Sequence, residues 1–286
     1  MLKSYSPLRY PGGKAKLYPF IKSLIEANGL GGQTYIEPFA GGSGLALKLL
    51  FNNDVQRIII NDYDIAIYSL WYSVLNHSDE LCELIDNVPI SVDEWNKRKE
   101  IYLRGSNNDI VSFGFSTLFL NRTNISGIIT GGIIGGIEQK GSYKIDARFN
   151  KKSLKKIIRK ISTKKDQIIL TNMNAADFLS PDSLSSYRKV LIYCDPPYVK
   201  QGSKLYKNSF VESDHKALYE AMNLCRRKWI VTYDICDFIA TLYKNYRRST
   251  ININYSANTI RKAQEYAFFS KNLKIPNGVI LDISSQ

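Results

Sequence analysis

The chain has 286 residues, 44% of them hydrophobic, which is enough for one large domain or a domain carrying a smaller insert. No apolar run approaches the roughly 20 residues of a membrane-spanning helix, and Met1 to Ser6 has no signal-peptide core, so a cytoplasmic protein without membrane partners is expected. The formal charge of +13 points to a polyanion, while four cysteines without a C-x-x-C pair and only two histidines leave no zinc-site spacing, so no metal is expected.

Near the N-terminus, Tyr10-Pro11-Gly12-Gly13-Lys14 places a lysine on a glycine turn. It is not a phosphate-cradling loop, because Ala15 stands where that motif needs Ser or Thr. Lys14 is either an exposed turn residue or a cation reaching a carboxylate, such as that of a bound ligand. Thr34-Tyr35-Ile36 reads as a strand running into Glu37-Pro38-Phe39, then Gly41, Gly42 and Gly44, then an apolar helix over 45–51. Arg57-Ile58-Ile59-Ile60 is the β-branched run of a buried parallel strand, ending at Asn61-Asp62. Strand, glycine turn, helix, strand and acid make a βαβ unit, with Asp62 placed to accept from ribose hydroxyls. The glycine turn alone also fits a nicotinamide or flavin fold, but Glu37 and Pro38 favour a turn that grips an aminoacid moiety.

A helix is expected over 65–75 and helical structure over 76–120. The glycine- and isoleucine-rich stretch 121–141 reads as hairpins or flexible loops. Between Lys140 and Lys165 eleven Lys/Arg face one acid, Asp146. On a helix, Lys152, Lys155, Lys156, Arg159 and Lys160 share one face, either a phosphate-binding face or a solvated one. Strands then resume at 167–171, 189–194 and 228–233, alternating with helices near 214–227 and 235–245, and 247–283 is β-rich. Asp177-Phe178 follows the strand at 167–171, as a pair for a cofactor's adenine or as a turn with a core Phe.

The sharpest feature is Asp195-Pro196-Pro197-Tyr198 at the end of an apolar strand, where open α/β sheets bind ligands. The amine of adenine is a poor nucleophile because its lone pair is delocalised into the ring. A carboxylate from Asp195 and the carbonyl of Pro196 can each accept one of its N–H bonds, which frees the lone pair for in-line attack on a sulfonium methyl. The two prolines fix φ and stiffen the turn, and Tyr198 offers a ring to stack on, worth roughly 1–3 kcal/mol per base.

Taken in order, the Pro-Gly-Gly-Lys turn, the Pro-Phe-x-Gly loop, the acid, the insert and Asp-Pro-Pro-Tyr resemble the Dam-like family of adenine-N6 DNA methyltransferases across nearly the whole chain. The resemblance implies an α/β, Rossmann-like methyltransferase sheet with helices on both faces, formed by 1–75 and 165–286. It implies an inserted, mainly helical DNA-recognition domain with a β-hairpin over 76–164. S-adenosyl-L-methionine is the implied cofactor, leaving as S-adenosyl-L-homocysteine, and double-stranded DNA the partner. Tyr10, Lys14, Asp62 and Asp195 would line the cofactor site. Leu120-Asn121-Arg122-Thr123-Asn124 looks like the family's entry to its DNA-contacting element, with Lys140, Lys144, Arg148 and Lys152 as DNA contacts. Arg148-Phe149-Asn150 is similar to a Phe-Asn element of the family, whereas the stretch between does not match members that read GATC. A monomer in a bacterium, or encoded by a phage, is implied, compatible with a cognate restriction endonuclease acting separately. The alternatives are a decayed, DNA-binding scaffold or an RNA or protein amine methyltransferase.

Overall fold

The computed structural model describes residues 5–9, 14–106, 109–199, 210–257, 259–276 and 281–282. Five parallel strands form the centre: β1 (Thr34–Glu37), β2 (Arg57–Asn61), β3 (Ile168–Thr171), β4 (Val190–Cys194) and β5 (Lys228–Asp234). The antiparallel pair β6 (Arg247–Ala257) and β7 (Thr259–Phe269), with the short β8 (Leu281–Asp282), completes a sheet in the order β3-β2-β1-β4-β5-β7-β6-β8. The chain reverses its direction of winding between β1 and β4, so a ligand crevice opens beyond the carboxyl ends of these two strands.

Every residue of β4 is buried, because both faces of the sheet are covered. Leu191 and Tyr193 join the core on one face, together with Tyr35, Ile58 and Ile60. Ile192 and Cys194 join the core on the other, with Ile36, Ile59 and Trp229. The first face is packed by α1 (Tyr18–Ala27), α2 (Gly44–Phe51) and α3 (Ile65–Asn76). Helix α3 is capped by the Asp64 carboxylate, which accepts from Ala66 N at 2.9 Å.

The segment 76–164 forms α4 (Ser78–Asn87), α5 (Val92–Arg104), α6 (Ile110–Thr123) and α7 (Lys151–Ser162). It shares one continuous core with α3 and the sheet, through Phe113, Phe115, Phe119 and Phe149. Helix α7 buries Leu154, Ile157, Ile158 and Ile161 and turns its lysines outward. Its N-cap is Asn150, whose side chain accepts from Ser153 N at 2.8 Å.

Where hairpins or flexible loops were expected over 121–141, strand pairing is limited, among the described residues, to a single antiparallel bridge between Asn124 and Ile133. The physical reason lies in two carboxamides. Asn121 accepts from Arg9 N at 2.8 Å and donates to Arg9 O at 2.8 Å and Gly127 O at 2.7 Å. Asn124 accepts from Trp95 Nε1 at 2.6 Å and donates to Ile128 O at 3.0 Å and Ile129 O at 2.8 Å. These side chains occupy backbone groups that a ladder would have paired, and left-handed φ values at Ser126 and Gly127 turn the chain inward. The second half is short: α8 (Ala175–Phe178), α9 (Glu212–Leu224) and α10 (Asp237–Leu242) cover the other sheet face. No helix among the described residues is long and apolar enough to cross a membrane.

Candidate active site

A cavity of about 430 Å³ opens beyond the carboxyl ends of β1, β2 and β4, within the size range of small-ligand sites. Glu37, Phe39, Gly41, Gly42 and Gly44 line it from the loop after β1, Asp62 from the end of β2, and Asp195 and Pro197 from the end of β4. The glycine loop is bent by left-handed backbone at Gly41 (φ 44°) and at Ser43 (φ 44°). Trp71 Nε1 donates to Gly41 O at 2.9 Å and fixes that bend from α3. Gly41 N donates in turn to Asp62 Oδ2 at 2.8 Å, and Asp64 N donates to Asp62 Oδ1 at 3.0 Å. The first acid and the glycine turn are therefore one hydrogen-bonded unit.

Burial dominates the acids of this wall. It pushes the Asp62 carboxyl up to about 7, although two backbone N–H groups oppose the shift. It pushes the Glu37 carboxyl up to about 8, against the hydrogen bond that Tyr35 Oη donates to Glu37 Oε1 at 3.2 Å. Both groups are poised to ionise when a donor or a cation enters the cavity.

Asp195 is held by three donors, all on one oxygen. Lys14 Nζ lies 3.0 Å from Asp195 Oδ1, and the hydroxyls of Tyr198 and Thr232 each donate to the same atom at 3.1 Å. Oδ2 receives no hydrogen bond from the described residues, so the carboxylate keeps one acceptor for a ligand. Lys14 Nζ also donates to Tyr198 Oη at 2.6 Å and lies 3.4 Å from Glu265 Oε2. Tyr193 Oη pairs with Thr232 Oγ1 at 2.9 Å behind them. Lys14 thus reaches a carboxylate, as one reading of its turn had it, but the carboxylates are the protein's own.

Several expected site residues sit elsewhere. Asn121 and Asn124, expected as DNA contacts, are buried, and their amides donate to carbonyls of the loop after α6. Phe178 belongs to the core under the sheet rather than to the cavity wall, while Asp177 is exposed and accepts from Ser183 Oγ through its carbonyl. Pro38 is buried, with its carbonyl accepting from Asn61 Nδ2 at 3.0 Å, and is absent from the cavity wall. Pro196 is likewise buried and absent from the cavity wall. Arg122 moves the other way: it lines the cavity, and its Nε donates to Pro7 O at 2.7 Å. On the surface, Lys140 pairs with Glu138 at 2.5 Å, Lys144 donates to Gln139 O at 2.5 Å, Arg148 lies 5.4 Å over the exposed Tyr143 ring, and Lys152 points to solvent. Lys155, on the expected basic face, pairs instead with the Asp86 carboxylate. Tyr10 lies outside the described residues.

Thr232, which donates to Asp195, escaped the sequence reading, and so did three others. Glu265 is 1% exposed, and alternation along β7 places it on the same face as the core residues Ala267 and Phe269; that inward acid was the available signal. Asn61 staples Pro38 O to the chain after β3, donating to Met173 O at 3.0 Å and accepting from Met173 N at 2.9 Å. Arg9 lines the cavity and gave no local signal.

An open sheet with its crevice at the β1/β4 switch, a glycine turn tied to an acid and an oriented Asp-Pro-Pro-Tyr carboxylate define a Rossmann-like methyltransferase. The chain belongs to the D12 class N6 adenine-specific DNA methyltransferases, whose family model matches residues 10–258. It is an enzyme that methylates DNA at specific sites on the N6 of adenine. One curated relative, the type II methyltransferase M.MjaIII of Methanocaldococcus jannaschii, is 27% identical over 209 residues, covering 67% of this chain and 68% of the relative. Among solved structures, the rRNA methyltransferase aviRa from Streptomyces viridochromogenes matches at 11% identity with a TM-score of 0.35, over 91% of this chain and 85% of that one. That likeness is too distant to bear on the substrate.

Proposed function

We propose that the cavity binds S-adenosyl-L-methionine beside an adenine swung out of the duplex, and that Asp195 carries the reaction. The observation behind this reading is the saturation of Asp195 Oδ1 by Lys14, Tyr198 and Thr232, which leaves Oδ2 to accept from the target amine. The acids fit the cofactor: Asp62 accepts from hydroxyls, and Glu37 faces the cavity from a buried position suited to an ammonium. When bound, the cofactor supplies an electrophilic sulfonium methyl. Asp195 holds the amine so that its lone pair leaves the ring conjugation, and the proton displaced from nitrogen passes to Asp195 or to solvent. The insert 76–164 carries target recognition, and its exposed lysines Lys140, Lys144 and Lys152 lie against the DNA backbone, as does Arg148. Phosphate contacts of this kind offset the few kcal/mol that base extrusion costs. The enzyme works as a monomer in the cytoplasm of a bacterial or phage-infected cell.

Sequencing of modified bases in DNA from cells expressing the protein tests this reading. N6-methyladenine at one recurrent sequence is expected. Unmodified DNA despite measurable cofactor binding would identify a decayed scaffold instead.

The Asp62 carboxyl sets a pH signature. Hydroxyl donors favour its charged form, so binding releases a proton wherever the empty site is protonated. Affinity for S-adenosyl-L-methionine is therefore expected to rise with pH up to about 7 and then to lose Asp62's share of the slope. Glu37 extends the rise toward about 8 with the same sign. In the empty protein the sign reverses. The folded state alone holds the Asp62 proton between pH 3.8 and about 7, so this group's contribution to stability falls as pH climbs through that window. Calorimetric titration from pH 5.5 to 8.5 checks the first statement, and Asp62→Asn should flatten the lower part of the profile. A wild-type affinity independent of pH would refute it.

A further inference from the structure

Glu265 is an acid in a place that its own strand does not explain. It is 1% exposed, on the sheet face that carries the core residues Ala267 and Phe269. Its direct cross-strand partners are Asp234 on β5 and Ile251 on β6. A like charge on one side and an apolar side chain on the other both disfavour a buried carboxylate. What meets it is a cation from the opposite end of the chain. Lys14 Nζ lies 3.4 Å from Glu265 Oε2, and the lysine side chain is itself 8% exposed.

An ammonium offers three N–H donors and no acceptor. Among the described residues, Lys14 Nζ meets three oxygens, each from a different segment: Tyr198 Oη at 2.6 Å, Asp195 Oδ1 at 3.0 Å and Glu265 Oε2 at 3.4 Å. Thr232, which donates to the same Oδ1, pairs across the sheet with Ala267, two positions along β7 from Glu265. Asp195 is thus braced through one oxygen from both strands. Without Glu265 the bracing changes in two ways. A lysine with a spare donor swings to bridge both oxygens of its remaining carboxylate, and Oδ2 is the atom offered to the target amine. One cation shared by two carboxylates also leaves each of them basic, whereas Lys14 alone with Asp195 would make it a weaker acceptor.

Resting on the reading of Asp195 as acceptor of the target amine, we propose that Glu265 is a positioning residue for methyl transfer. It anchors Lys14 on Oδ1 of Asp195 and shares its charge, which keeps Oδ2 open and basic. Glu265 is absent from the cavity wall, so it acts through Lys14 and not on a ligand.

The test is a double-mutant cycle read by single-turnover methyl transfer to a duplex carrying the sequence found by modified-base sequencing. Affinity for S-adenosyl-L-methionine and melting temperature are measured alongside. Glu265→Gln should slow transfer about tenfold, while cofactor affinity stays within about twofold of wild type. Glu265→Asp keeps the charge but draws the carboxylate back, and should recover part of that loss. Lys14→Met should slow transfer and lower the melting temperature, because it strands Glu265 as a buried charge. In that background Glu265→Gln should cost no further rate and should restore melting. A residue that only supports the fold would lose stability and rate a second time. Were Glu265→Gln to misfold, the cycle run with Glu265→Asp decides the matter, since its loss should also vanish without Lys14.

Three results would overturn the role of Glu265: a Glu265→Gln rate equal to wild type, losses that add in the cycle, or a fall in cofactor affinity as large as the fall in rate. The last would assign the Lys14–Glu265 pair to the cofactor. Failure of wild type to methylate the duplex is a different outcome, and would sink the reading of Asp195 together with the role of Glu265.

Discussion

Replacing Asp195 by Ala should lower single-turnover methyl transfer to duplex DNA by about 10³-fold, equivalent to roughly 4 kcal/mol of transition-state stabilisation. On the proposed mechanism the substitution removes the acceptor for the target amine, and Lys14, Tyr198 and Thr232 lose their shared partner. The fold should survive, because Lys14 keeps Glu265 at 3.4 Å and is not left as an isolated buried charge. Affinity for cofactor should change much less than the rate, since Asp62 and the glycine turn are untouched. Asp195→Asn keeps an oxygen for Thr232 and Tyr198 and should be the better folded of the two, yet still slow. A variant without Asp195 that retained most of its single-turnover rate would show that the amine is held by something else.

Gly114→Ala should destabilise the protein by on the order of 3 kcal/mol, seen as a fall in Tm of roughly 5 °C. Gly114 lies in α6 where that helix crosses α3. A Cβ there would stand 2.6 Å from Ser69 O, 2.8 Å from Ser69 C and 2.8 Å from Ser73 Oγ. Two of these atoms are backbone, and the Ser73 hydroxyl is already donating to Ser69 O at 2.7 Å, so none can move cheaply. The helices must separate, and they belong to the one core that joins the insert to the sheet. Because α6 also carries Arg122 and Asn121, the strain should reach the cavity wall and weaken DNA binding beyond the loss of stability. Gly31→Ala is the matched control: nothing lies within 4 Å of its added carbon, and its melting should stay within about 0.5 kcal/mol of wild type. Equal melting of the two variants would mean that α3 and α6 do not meet at this point.

The residues that line the cavity divide by how local their physics is. Glu37, the glycines and Asp62 were legible in the chain because a strand, a tight turn, a helix and a second strand impose their spacing through backbone geometry alone. Asp195-Pro196-Pro197-Tyr198 was legible for a similar reason: a buried strand ends there, and the chemistry of an aromatic amine calls for an acceptor on a stiff turn. The strands of the sheet were found from β-branched runs, since full burial on both faces removes any polar alternation that would disguise them.

Other features depend on partners far away in sequence. Asn121 and Asn124 look like surface readers in a polar pentapeptide, but they face inward, because Arg9 and Trp95 arrive from 112 and 29 residues away to use their amides. The loop 121–141 was read as hairpin or flexible loop from its glycines; those same carboxamides, not strand pairing, organise it. The sequence by itself determined the sheet, the order of the motifs and the acids that line the cavity, because these follow from periodicity and from turns a few residues long. Only the tertiary structure decided that Lys14 serves Asp195 and Glu265, and that Arg9 and Arg122 stand together on the cavity wall. Those pairings join residues over 100 positions apart, and a charge's partner is set by where the folded backbone brings it, which no local pattern encodes.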